Sequence, residues 1–130
     1  MRIMNLTQHS LTAEQISGNE CFRIESVPGD VINDRLTFNE IPTVEEMAER
    51  ALDISRIAAQ HSVEAAVIGG APYFMPFLEK ALIKLDIIPL YSFSKRESIE
   101  RKNPDGTVIK TSVFKHIGWV KADPSVYEGY

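Results

Sequence analysis

Three short stretches concentrate the side chains able to do chemistry. Thr7, Gln8 and His9 offer a hydroxyl, an amide and an imidazole in a row. In "VIGGAPY", residues 67–73, a β-branched run ends in Gly69 and Gly70, followed by Ala71 and Pro72. In "SFSKRES", residues 92–98, the hydroxyls of Ser92 and Ser94 stand beside the cations of Lys95 and Arg96. Bare backbone at the head of a helix lets N–H groups approach an anion, and hydroxyls with cations clamp a phosphate. A small phosphorylated ligand is the expectation, with His9 able to move a proton near neutral pH.

Each part also has a plainer reading. A glycine pair before a helix makes an ordinary tight turn, Lys95 and Arg96 can open a solvated hairpin strand, and a loop histidine is more often only a hydrogen bonder. Lys115 and His116 lie on the returning hairpin strand, where alternation sends them to opposite faces, so at most one joins such a site. Lys115 is carried as that candidate. His61 sits at a helix end and reads as a cap.

The elements that must position these residues follow from the apolar pattern. Arg2 to Leu6 reads as a buried strand that delivers "TQHS". Thr12 and Gln15 form a capping-box pattern, but Gly18 limits that helix to a turn or two. Cys21 to Ser26 reads as a second strand ended by Pro28 and Gly29, and residues 29–42 read as irregular, with a short extended piece at "LTF". Thr43 and Glu46 form a second capping box, and Val44, Met47, Ala48, Ala51, Ile54 and Ala58 make an amphipathic helix ending near His61. "VEAAVIGG" is apolar enough for a central parallel strand. A helix from about Pro72 to Leu85 and a strand over Ile87 to Phe93 complete the pattern, with Pro89 at the strand's start. "NPDG" then joins two extended runs into a β-hairpin, and "ADPSVYEGY" reads as a loose tail.

This order predicts an α/β fold in one domain, residues 1–130: an open, mostly parallel sheet with helices on both faces and an added C-terminal hairpin. Ligands of such sheets bind beyond the carboxyl ends of the strands, and "TQHS", "GGAPY" and "SFSKRES" all gather there.

Composition narrows the setting. At 130 residues, 44% hydrophobic and 25% charged, the chain has the profile of a soluble globular domain. No apolar run reaches the ~18 residues of a membrane span, and "MRIMNLTQHS" lacks the features of a secretory signal, so a cytoplasmic protein is expected. Cys21 is the one cysteine and there are three histidines, so neither a disulfide nor a spaced metal motif is expected. A net charge of −4 argues against coating long nucleic acid, though not against one local basic patch.

The runs "NLTQHSLTAEQ", "VIGGAPYFMPFLEKAL" and "PLYSFSKRESIERKNPDGTVIKTSVFKHIGWV" together resemble the small stand-alone ring nucleases of type III CRISPR systems, most of all the Csx group numbered twenty. The match covers the first dozen residues and roughly the last 65, and residues 20–60 carry little of it. The chain departs from that pattern in "NLTQH", where a serine is expected beside the histidine, and in "SFSKR", where threonines and arginine are expected. The resemblance implies a CARF-like Rossmannoid fold and a homodimer whose cleft binds a cyclic oligoadenylate, tetra-adenylate ahead of hexa-adenylate. It also implies cleavage without metal or cofactor, by attack of a ribose 2'-OH on the neighbouring phosphodiester.

Under that resemblance Lys95 and Arg96 stabilise charge and Ser94 takes part beside them. The amides of Gly70 and Ala71 cradle phosphate, and Thr7, Gln8, Gly69, Pro72, Ser92 and Lys115 complete the ligand site. His9 protonates the leaving oxygen. The main alternative is a module that senses or sequesters the same ligand without turnover. A nucleotide-processing or glycosyl-transferring enzyme ranks third, because it needs a carboxylate at the edge and only Glu97 stands there.

Overall fold

The structure is a computed structural model and describes residues 2–9, 23–26 and 29–123. Five strands form one sheet in the order β2-β1-β3-β4-β5: β1 (Arg2–Asn5), β2 (Arg23–Ser26), β3 (Ala65–Val67), β4 (Ile88–Lys102) and β5 (Val108–Lys121). The first four run parallel and β5 returns antiparallel to β4. The sheet is therefore open and mixed. Register is set in the middle, where Ile3 pairs with Ala65, Met4 with Ala66, and Val67 with Leu90.

Parallel neighbours need crossovers, and helices supply them. The chain passes from β2 to β3 through α1 (Gly29–Leu36) and α2 (Val44–Gln60), and from β3 to β4 through α3 (Met75–Lys84). Both crossovers step the same way across the sheet, so right-handedness puts all three helices on one face. There Met4, Leu6, Ala66 and Ile68 pack with Ile32, Ile54, Phe74, Leu78 and Leu82 in one buried cluster. On the opposite face Ile3, Ala65, Val67 and Leu90 are also buried, with Trp119 beside them. The described helices thus occupy one face; the short helix expected at Thr12 and Gln15 and the tail from residue 124 lie outside the described residues.

The helix over residues 44–60 forms as its pattern requires. The Thr43 hydroxyl accepts the Glu46 N–H at 3.1 Å, and Met47, Ala51, Ile54 and Ala58 turn inward. Glu46 does not close the capping box. Its carboxylate instead holds Arg50 at 2.8 Å, while Arg50 donates to the Thr37 carbonyl at 2.6 Å and lies over the Phe38 ring. One side chain thereby ties the α1–α2 connection to α2.

Three expectations need correction. Residues 29–36 form α1, although Asp30, Asn33 and Asp34 weaken the helical pattern; Ile32 and Leu36 are buried under α2, and tertiary burial outweighs propensity. The "LTF" piece is the end of α1 and the loop after it. The third helix starts at Met75 rather than Pro72, because Ala71 to Phe74 form a turn in which the Phe74 N–H donates to the Ala71 carbonyl at 2.9 Å. The fourth strand does not end at Phe93. It runs unbroken to Lys102, because β5 pairs with it almost residue for residue, and "SFSKRES" is strand rather than loop.

Candidate functional site

The strand order gives β1 and β3 a shared boundary from which the chain departs in opposite directions, to β2 on one side and to β4 on the other. A crevice opens at such a switch point, outside the carboxyl ends of the strands. The last ladder bonds here are Leu6 N–H to the Val67 carbonyl at 2.8 Å and Ile68 N–H to the Leu90 carbonyl at 2.9 Å.

Beyond them, Asn5 organises the β1 turn. Its amide oxygen accepts the Thr7 N–H at 3.0 Å and the Thr7 hydroxyl at 2.7 Å, and its amide nitrogen donates to the His9 carbonyl at 2.8 Å. This is the Asx geometry that lets an asparagine stand in for a backbone turn. The Gly69 turn lies against it: a Cβ on Gly69 would meet the Thr7 methyl at 3.6 Å. Gly70 has φ +155°, and a Cβ there would sit 3.3 Å from the Met75 methyl. Glycine is required at that position. Gln8 leaves the turn sideways, donating to the Thr37 hydroxyl at 3.0 Å at the end of α1. Thr7 and the Gly69–Gly70 turn are therefore neighbours at this edge, with Gln8 turned toward α1. Ala71 and Pro72 form the turn that follows, and His9 is exposed.

The fourth-strand residues divide. Ser92 stands just past the sheet, two residues beyond Leu90. Arg96 is six beyond it, ~20 Å further along the strand at ~3.3 Å per residue. Alternation along β4 also separates the two cations. Lys95 shares a face with Lys115, while Ser92, Ser94 and Arg96 share the other with His116 and Trp119. Arg96 lies over Phe114 at 5.2 Å. Lys95, Arg96 and Lys115 thus form no single clamp with Gly69 and Gly70 inside one copy of the chain.

His116, rather than Lys115, joins the serines. Its Nδ1 lies 2.8 Å from the Ser92 hydroxyl, and its ring tilts against Trp119 with centroids 4.7 Å apart. Residues three apart in a strand ordinarily face opposite ways. A bulge between the pairs Phe93–Gly118 and Ser94–His116 leaves Ile117 unpaired and brings His116 and Trp119 onto one face. Turn counting from "NPDG" finds the Ser94–His116 pair, but nothing in the residue types signals the extra residue.

A cavity of about 500 Å³ lies beside the glycine turn, lined by Phe38, Ile41, Pro42, Met47 and Tyr73, with Asn39 and Glu40 as its polar groups. Tyr73 packs edge-on against Phe38 at 5.7 Å and is half exposed, whereas Phe74 and Met75 belong to the core and offer no outer surface. On β4, the Tyr91 hydroxyl donates to Glu79 at 3.2 Å; burial first, then the Glu79 carboxylate, raises its pKa well above the ordinary value. Among the described residues, no three His, Cys, Asp or Glu side chains gather as a metal-binding group.

The family model described as "Uncharacterized protein MJ1673 family" matches residues 1–120. The chain belongs to that family. The match runs from β1 almost to the end of β5, so the long hairpin belongs to the MJ1673 pattern along with the switch-point turns. No curated protein and no solved structure matches the chain. Among the described residues no helix is long and apolar enough to cross a membrane.

Proposed function

We propose that this chain is a cytoplasmic ring nuclease, with a CARF-like fold, that binds a cyclic oligoadenylate and cleaves it without a metal ion, ending a type III CRISPR signal. The observation that carries the reading is the switch point, where the Asn5–Thr7–His9 turn meets the side-chain-free Gly69–Gly70 turn. Edges of this kind take phosphorylated ligands in α/β sheets. The family resemblance of the same residues supplies the cyclic ligand and the chemistry.

In this reading the amides around Gly70 and Ala71 receive a phosphate, and Thr7, Ser92 and Ser94 hold oxygens of phosphate and sugar. An adenine stacks on Tyr73 in the adjacent cavity, where the Asn39 amide suits its N6 and N7. The ribose 2'-OH gives up its proton to the His116 imidazole and attacks the neighbouring phosphorus. The P–O5' bond breaks, the O5' oxygen takes a proton, and the products are a 5'-OH and a 2',3'-cyclic phosphate. His9 protonates the leaving oxygen. His116, held by Ser92, is a second imidazole for proton transfer. Arg96, reaching in from the ribbon of the second copy, stabilises the phosphoryl charge, and the protein otherwise works by holding attacking and leaving oxygens in line. A two-fold ring, tetra-adenylate first, matches a homodimer in which every contact occurs twice.

One observation favours a second reading, a sensor that binds without turnover: the cations of the expected clamp ride out on the ribbon, away from the edge of their own copy. Incubation with cyclic tetra- and hexa-adenylate in EDTA, followed by chromatography, separates the two. Linear products ending in 2',3'-cyclic phosphate support the nuclease. An intact ring that co-elutes with the protein supports the sensor, and a ring that does not bind refutes both.

A further inference from the structure

From Ser92 outward, β4 and β5 form a two-stranded ribbon whose residues are nearly all exposed. A lone two-stranded hairpin is marginally stable in water, so eleven residues of it beyond the sheet call for cover. Its charge is opposite to that of the rest of the chain. Residues 92–121 hold seven Lys and Arg against Glu97, Glu100 and Asp105, a net +4, which leaves −8 on the remainder of a chain at −4.

The two faces of the ribbon differ. On the face of Lys95 and Lys115, the side chains of Val113, Ile99 and Ile109 step diagonally across the strands, 39%, 45% and 47% exposed, with Arg101 at the far end. Glu97 stands opposite Val113, so this face carries three cations against one carboxylate. From the Val113 row to the Ile109 row is four residues, ~13 Å. The outer face of α2 carries a matching pattern. Val44, Ala48 and Leu52 recur every fourth residue over ~12 Å, all exposed, and Glu45, Glu49 and Asp53 run beside them.

We propose that the β4–β5 ribbon is a dimerisation arm that lies along α2 of a second copy, reciprocally, each arm embracing the other body. Ile99, Ile109 and Val113 cover Val44, Ala48 and Leu52, while Lys95, Lys115 and Arg101 meet Glu45, Glu49 and Asp53. The inference deepens the homodimer in the proposed function by naming its surface. An RNA strand is the competing occupant of a basic ribbon. The apolar diagonal and a body at −8 favour protein, because a phosphate backbone leaves the first uncovered and is repelled by the second.

Sedimentation of the full chain without ligand is the test. A dimer that dissociates as sodium chloride rises is expected, because the flanking ion pairs are exposed. Two variants locate the contact, Ile99→Asp with Ile109→Asp on the ribbon and Val44→Asp with Leu52→Asp on α2. Each should sediment as a monomer with unchanged far-UV circular dichroism. An equimolar mixture should regain dimers, since it restores one intact ribbon–helix contact out of two. A monomeric natural chain, variants that dimerise as before, or a mixture that stays monomeric would overturn the proposal. So would ribbon variants that remain dimeric but lose binding to a labelled single-stranded RNA. A dimer without turnover contradicts only the proposed chemistry, and turnover by a monomer overturns the arm and the homodimer together while leaving the cleavage chemistry standing.

Discussion

Gly70 and Gly69 stand side by side but differ in what they tolerate. Gly70→Ala forces a β-carbon into φ +155° and against Met75, and should cost about 1–3 kcal/mol in urea unfolding. Gly69→Ala meets only ordinary contact with Thr7 and should cost clearly less. His116→Ala should lower ring cleavage by roughly 10²- to 10⁴-fold while ring binding, measured by calorimetry, persists. Tyr91 makes a pH prediction. Its phenol ionises at higher pH in the fold than in the unfolded chain, so its contribution is intact below pH 10 and is lost as pH rises beyond it. Tyr91→Phe should flatten that part of the alkaline fall in melting temperature. Chemistry at this scale was legible where it followed an apolar run, as at Thr7 and Gly70. The partnership of Ser92 with His116 was not, because it depends on hairpin register and on an unpaired residue.

Among elements, α2 was the most legible, since cap and apolar spacing agree over its whole length. Thr43→Ala should cost about 1 kcal/mol in thermal or urea unfolding. The hairpin turn was equally plain. Gly106 takes φ +89°, and Asp105 accepts both the hydroxyl and the N–H of Thr107, at 2.6 and 3.0 Å, which holds its carboxyl below the usual range. The length of β4 was hidden because Lys95, Arg96 and Glu97 have the composition of a loop. A strand paired along its length does not need intrinsic preference for its charged residues. In α1, likewise, only the burial of Ile32 and Leu36 reveals a helix among turn-forming residues.

At the scale of the molecule, the net charge of −4 conceals a basic ribbon on an acidic body, and only the placement of the hairpin reveals it. Parallel direction and the gathering of the first two turns at one edge followed from the alternation of strands and helices. The reach of the third stretch did not, because it depends on pairing far along the chain. The bulge at Ile117 has a further consequence. Removing Ile117 would leave every cross-strand partner as it is, since the pairs on both sides already follow one another in order. Only the bend of the ribbon would change. The deletion should therefore keep the circular dichroism and melting temperature close to those of the natural chain, yet alter the small-angle scattering profile and the dimer. One supernumerary residue acts as an aiming screw, and a lineage can gain or lose it to redirect the arm toward a different neighbour without disturbing the ladder.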